Sequence, residues 1–339
     1  MATTGSPARV DAIVIGGLRQ DTLITPDGRV YRGQIGGNAA FAAAGARVWG
    51  VRPGMCARVG DNYPPQWWDS FAAAGIDTAG VCRVPGAHDM RTFYAYLSAE
   101  ERDDRMPARH FARLGQPFPP ELEGYDTSTS GQEDIAQWAP LAVRPEDLPS
   151  EYAAAPAAHV APAHILTQAS LPGALRAHGV PLVTLDPSER LMLPGQEDTL
   201  ARVLSQVDAF LPSAMEVRAL RPDIDLWAAA EWFATMGPAV VVIKIGAQGQ
   251  YVYDRARGRR WHVPPSPPQP LVDVTGAGDA YCGGFLIGLL QTGDALEAAL
   301  RGTVSSALAI GGVGALYALD APQAEIERRL SALRGILPA

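Results

Sequence analysis

Lysine is nearly missing from this 339-residue chain: of 28 basic residues only Lys244 is a lysine, so almost all positive charge rests on planar, permanently ionised guanidinium groups. Basic residues are also outnumbered, and the formal net charge of −8 argues against a nucleic-acid partner, since phosphate backbones are held by clustered Lys and Arg. Cysteine is scarce. Cys56, Cys82 and Cys282 are odd in number, widely spaced and free of any C-x-x-C pair, which excludes a disulfide framework and a cysteine zinc site and reads as buried thiols in a reducing, cytoplasmic compartment. No stretch approaches the roughly 18 continuous apolar residues of a membrane span, and residues 1–10 have neither the basic start nor the apolar stretch of a signal peptide. Repeats of solenoid type are absent. So is a Walker P-loop, because the one lysine follows an isoleucine, and so is a His-Glu-x-x-His pair. His159 and His164, five apart across a proline, are read as non-ligands.

Apolar residues make up 47% of the chain and charged ones 19%, which suits a globular protein with a large core. Apolar runs at 12–15, 54–59, 164–167, 181–185, 207–211 and 239–245 are bounded by turn residues and read as doubly buried strands. Between them lie stretches of helical length at 38–49, 65–75, 171–179, 198–206, 214–220 and 227–236. That alternation generates a parallel sheet covered by helices. After Asp273 the pattern turns to helices alone, near 279–291, 294–310 and 322–335.

Two segments break the alternation with shorter, more polar patterns. Residues 18–35 read as a strand, a turn at Pro26-Asp27-Gly28-Arg29 and a returning strand, and 91–98 alternate in the same way. They predict a small separate sheet, spanning 18–35 and 88–112, that serves as a lid on a single 1–339 domain. Exposed edges of such a sheet need cover, and pairing two lids across a two-fold axis is one way to supply it, giving a homodimer. From 99 to 163 the chain is rich in Pro, charge, Ser and Thr, including Asp126-Thr127-Ser128-Thr129-Ser130-Gly131, and reads as a surface insertion with partial disorder.

The strongest chemical signal is Asp273-Val274-Thr275-Gly276-Ala277-Gly278-Asp279, a small-residue turn opening into an apolar helix. Without side chains at Gly276 and Gly278, and with only a methyl at Ala277, backbone N–H groups can approach an oxyanion, and the helix N-terminus adds its positive end. Asp279 in the first turn is expected to be ionised with a low pKa and able to accept a proton. Phosphoryl transfer to an alcohol needs both a carboxylate for the nucleophile's proton and fixed dipoles for the transferring group. A helix N-cap with a tight turn is the plainer explanation of the same residues. Upstream, Gly36-Gly37-Asn38 opens a second small-residue helix, and Asn38 is one of only two asparagines in the chain. The glycine-rich turn fails the dinucleotide pattern, since Tyr281 stands where the third small residue belongs.

Together these two segments resemble the signatures of the ribokinase-like, phosphofructokinase-B type carbohydrate kinases. Arg58-Val59-Gly60-Asp61, Gly75-Ile76-Asp77-Thr78 and Val241-Val242-Ile243-Lys244-Ile245-Gly246 fall in the family's order, so only 100–160 lacks a counterpart. The resemblance implies a three-layer α/β/α fold with a mostly parallel central sheet and a small β lid, and ATP-dependent phosphorylation of a sugar or sugar-like hydroxyl. It further implies Asp279 as base, with Gly276, Ala277 and Gly278 as the anion hole. Asp21, Gly36, Gly37 and Asn38 are implied for the acceptor, and Arg190 comes from Asp186-Pro187-Ser188-Glu189-Arg190, a partial match to a family Asp-x-Asn-x-Arg segment. Lys244, Gly246, Gly249, Ser213 and Thr275 are implied for the nucleotide. Glu216 is implied for Mg²⁺, with Ser213 replacing the usual asparagine of its motif, and a monovalent cation such as K⁺ is left open. Arg19, where the family often has Asn, either recognises an anionic acceptor or lies on the surface. The rival readings are a nucleoside kinase and a catalytically idle binding protein of the same fold.

Overall fold

The computed structural model describes residues 9–98, 101–127, 136–266 and 270–336. Nine strands form the large sheet, in the order Arg259–Val263, Gln250–Asp254, Val240–Lys244, Ala209–Phe210, Leu182–Leu185, Ala157–Val160, Ala12–Ile15, Pro53–Gly60 and Asp77–Val84. The first two pair antiparallel with their neighbours and the rest run parallel. Ile13, Ile15, Val183, Leu185, Val241 and Ile243 turn one way, toward helices Ile165–Ala177, Glu197–Leu204, Ala214–Leu220 and Leu226–Thr235. Val14, Met55, Ala57, Val240 and Val242 turn the other way, toward helices Asn38–Arg47, Gln66–Ala73, Ala277–Thr292 and Ala295–Ala309. Alternate residues thus feed two apolar layers, which is why the strands read as continuous hydrophobic runs.

The first strand in the chain, Ala12–Ile15, lies inside the sheet with two strands beyond it on one side and six on the other. From it the chain builds outward to one side through Pro53–Gly60 and to the other through Ala157–Val160, which makes the carboxyl end of Ala12–Ile15 the topological switch point, where open α/β sheets bind ligands. A second, four-stranded sheet takes the order Val30–Gly36, Arg19–Ile24, Arg91–Tyr96 and Arg102–Asp103. Its middle pair is parallel and its outer pairs antiparallel.

Several expectations needed correction. Residues 164–167 are no strand: His164 caps the Ile165–Ala177 helix by accepting from Leu166 N, and the strand is Ala157–Val160, whose alanines carry little β signal. The strand expected at 207–211 is only Ala209–Phe210. The antiparallel hairpin at 250–263 and the edge strand Asp77–Val84 were not foreseen. Cys82 is half-buried while Cys56 and Cys282 are buried. The described part of 99–163 is largely packed structure, with 128–131 of the polar run lying outside the described residues.

That packed part covers the outer face of the small sheet. Helix Pro107–Arg113 and the turn Pro120–Leu122 bring Phe111, Leu122 and Tyr125 against Ile24, Phe93 and Ala95. Arg91 fixes the cover by donating to Glu121 O and Glu123 O, both at 2.8 Å, and Tyr125 OH accepts from Phe93 N at 3.1 Å. On the edge strand, Ile35 O accepts from Ala315 N at 2.8 Å. The chain therefore supplies cover for its own small sheet. Among the described residues no helix is long and apolar enough to cross a membrane.

Candidate active site

Gly276 is the N-cap of the Ala277–Thr292 helix and sits at φ 70°, where only glycine is unstrained. A Cβ there would also strike the Phe41 ring at 2.1 Å, so the turn is seated on the Asn38–Arg47 helix. Ala277, Gly278 and Asp279 follow in the first turn; the Ala277 N–H donates to Val274 O at 3.2 Å, while those of Gly278 and Asp279 have no carbonyl partner within the helix, as is general for first-turn amides. Behind the turn the two helices approach backbone to backbone: a Cβ on Gly283 would lie 1.9 Å from Ala42 O. The glycine turn and the helix bearing Asn38, which Gly37 caps, are packed as one unit.

Asp279 departs from expectation. Burial, then the Asp186 carboxylate, push its carboxyl up to about 7, against the opposing pull of Lys244, Arg102 and its own helix amide. The helix N-terminus is present as foreseen, but desolvation outweighs it. The resulting pKa is that of a group poised to take up or release a proton near neutral pH.

Beneath the turn lies the lone lysine. Lys244, at the end of the Val240–Lys244 strand, is ion-paired with buried Asp186 and reaches Cys282 Sγ at 3.6 Å. A Cβ on Gly278 would be 3.7 Å from its Nζ, so the ammonium stands against the glycine turn. Burial opposes its charge, but Asp186, Cys282 and Glu216 more than restore it and hold the ammonium protonated. Asp186 is paired with Lys244 and not with Arg190, as a local bridge would have had it. Arg190 lies half-buried on the one-turn Glu189–Met192 helix. Glu216 is no solvated charge: it accepts from Ser213 N at 2.6 Å while its own N–H donates to Ser213 Oγ at 3.3 Å, a capping box at the start of Ala214–Leu220. Burial and then Asp186 raise its carboxyl to about 7. Gly246 and Gly249 form the turn after the Lys244 strand, at φ 59° and 93°.

On the acceptor side, Asp21 of the small sheet is buried, and Gly36 makes room for it: a Cβ there would fall 1.9 Å from Asp21 Oδ2. Asp21 Oδ1 is buried without a hydrogen-bond partner among the described residues. Burial, with the Asp273 and Asp279 carboxylates adding to it and Thr92 and Arg19 opposing, raises its carboxyl to about 7. Gly37 caps the neighbouring helix at φ 92°. Asn38 spans the switch point: its Oδ1 accepts from Gly17 N at 2.7 Å and its Nδ2 donates to Pro162 O, tying the carboxyl ends of two strands. Its side chain holds the floor of the site, a role that its scarcity alone did not reveal. Arg19 donates to Asp89 O at 3.2 Å and contributes to Asp21's field.

Two groups escaped the sequence reading. Tyr96 of the small sheet meets Thr275 Oγ1 at 2.6 Å, and Arg102 stacks over Tyr94 at 4.3 Å with its charge felt by Asp273 and Asp279. Tyr96 could have been found from register, because Thr92, Tyr94 and Tyr96 alternate on the face that Asp21, paired opposite Thr92, also occupies. A two-residue strand such as Arg102–Asp103 carries no pattern to read.

Known proteins resemble the chain throughout. A model of the pfkB family carbohydrate kinase matches residues 160–322. A fructokinase of Klebsiella pneumoniae is 34% identical over 292 residues, covering 83% of this chain and 84% of that protein. A cytidine kinase of Thermococcus kodakarensis is 28% identical over 292 residues, covering 86% and 92%. Among solved structures, a Burkholderia thailandensis nucleoside kinase in complex with inosine superposes with a TM-score of 0.72 at 19% identity, covering 96% of this chain and 97% of that one. An E. coli protein described as a ribokinase II, in complex with ATP and Mg²⁺, gives 0.70 at 20%, covering 95% and 99%. At those identities the structural likeness speaks for the fold.

Proposed function

The chain belongs to the pfkB family of carbohydrate kinases, and from that membership we propose that it transfers the γ-phosphoryl group of ATP to a hydroxyl of a sugar or nucleoside, with Asp279 as base. As a member it is a phosphotransferase with a hydroxyl acceptor. The observation that carries the assignment of Asp279 is its carboxyl, held near 7 in the first turn of a helix opened by Gly276, Ala277 and Gly278. The acceptor hydroxyl gives its proton to Asp279 as its oxygen bonds to phosphorus, and the bond from the γ-phosphorus to the β–γ bridging oxygen breaks, giving ADP and a phosphomonoester. Backbone amides of Gly276, Ala277 and Gly278 are the groups assigned to take up charge on the transferring group, and the Lys244 ammonium beside Gly278 adds to their field. Asp21, with its unpaired Oδ1, binds an acceptor hydroxyl, and Asn38 keeps the floor beneath it in shape.

The donor set also suits Mg²⁺. Glu216 spends one carboxylate oxygen on Ser213 N and keeps the other for an ion that would retain waters and phosphate oxygens. Glu216 is the residue assigned to hold it, and when bound the ion neutralises phosphate charge.

The relatives named for fructose and for cytidine set the test. ADP release and acceptor phosphorylation are to be followed with ATP and Mg²⁺, with and without K⁺, over hexoses, sugar acids and nucleosides. Phosphorylation of at least one member is expected. Nucleotide binding by calorimetry with no turnover on any of them would overturn the kinase assignment in favour of an idle binding protein.

A further inference from the structure

We propose that Tyr96 is a positioning residue: its hydroxyl latches the small sheet onto the anion turn through Thr275, so that cover and turn close as one. The inference rests on the kinase reading for its consequence, but its geometry stands alone. The Thr275 hydroxyl has one proton, and it donates that proton to Asp273 Oδ1 at 2.7 Å. Tyr96 OH, 2.6 Å from Thr275 Oγ1, is therefore the donor to Thr275. The same Asp273 oxygen accepts from Thr275 N at 2.9 Å, and Val272 N and Asp273 N both donate to Ile310 O, which anchors the foot of the turn. Tyr96, Thr275 and Asp273 are exposed by only 6%, 6% and 4%, so the chain of hydrogen bonds runs where water does not compete.

The tyrosine is itself braced. Arg102, paired opposite Tyr96 on the adjoining strand, lies over the Tyr94 ring, and its charge acts on the Tyr96 hydroxyl. When the small sheet moves away from the large one, Tyr96 withdraws and its hydrogen bond to Thr275 is exchanged for one to water, a net loss that favours return. The turn that would hold the phosphoryl group is thus stiffened when the cover is shut, and water is kept from it.

Three variants test the latch. Tyr96→Phe removes the donor and keeps the ring, Thr275→Val removes the acceptor, and Thr275→Ser keeps it. Amide hydrogen exchange is measured without ligands on Arg91–Tyr96 and on 273–279. Tyr96→Phe and Thr275→Val are each expected to speed exchange in both segments by about fivefold, the factor one net hydrogen bond carries. The double variant should add nothing further, and Thr275→Ser should match the parent. Exchange that rises in one segment alone, or effects that add in the double variant, would overturn the latch. With fructose and cytidine as acceptors, Tyr96→Phe should raise the ratio of ATP hydrolysis to acceptor phosphorylation by a similar factor. A parent protein that phosphorylates neither these nor any other acceptor ends the kinase reading, while exchange still decides the latch. A parent that turns over and a Tyr96→Phe protein with an unchanged ratio end the latch and leave the kinase.

Discussion

Under the anion turn, the Asn38–Arg47 and Ala277–Thr292 helices meet through alanine and glycine, with main chain against main chain at Gly283 and Ala42. Over it, the small sheet is backed on its outer face by aromatic rings and by Arg91 donating to the carbonyls of Glu121 and Glu123. Backbone contact of the first kind has no rotamer to relax, so the floor is fixed in shape. Ring and guanidinium contacts of the second kind can part and re-form. The difference suggests a division of labour, in which the floor sets the geometry of the reacting groups and the cover governs access.

Breaking the floor should cost most. Asp279→Asn is expected to lower phosphoryl transfer on the order of 10³-fold while leaving nucleotide affinity and melting temperature near those of the parent, as read by ADP release, calorimetry and thermal unfolding. Because the Asp279 carboxyl is raised to about 7 and must be ionised to accept a proton, the parent's rate should climb about tenfold per pH unit below 7 and level off above it. In Asp279→Asn that limb should vanish; a surviving limb would transfer it to Asp21 or Glu216.

Lys244→Met strikes the floor from beneath. It strands the buried Asp186 carboxylate and is expected to destabilise the fold by about 3–5 kcal/mol, measured by denaturant unfolding. Phe111→Ala attacks the cover instead. It should cost about 3 kcal/mol, appearing as faster exchange in Arg91–Tyr96 with exchange in Ala277–Thr292 unchanged. Equal loosening of both regions would erase the distinction between them.

Much of the floor was legible because its signals are local. Small residues at 276–278 and 36–38 announce helix starts, and the helix over Ala214–Leu220 falls where its pattern places it. The cover was half legible: the 18–35 hairpin shows in its turn residues, whereas its packing joins Phe93 to Phe111 and Tyr125, contacts that no short window contains. The Tyr96 and Thr275 partners are 179 residues apart. The acidity of Asp279 was misjudged for the same reason, since the helix terminus is visible in sequence while Asp186, which opposes it, arrives through the sheet. The strand at 157–160 was displaced to 164–167 because its two alanines look less strand-like than the isoleucine and leucine that begin the next helix.

The solitary lysine has a practical side. With its ε-amine held in the Asp186 pair and its side chain only 15% exposed, the folded chain offers amine-directed reagents a single, shielded lysine side chain among its 339 residues. Acylation or reductive methylation at position 244 thus becomes a single-site reporter of the opening of the protein's interior, free of the background that a lysine-rich surface would impose.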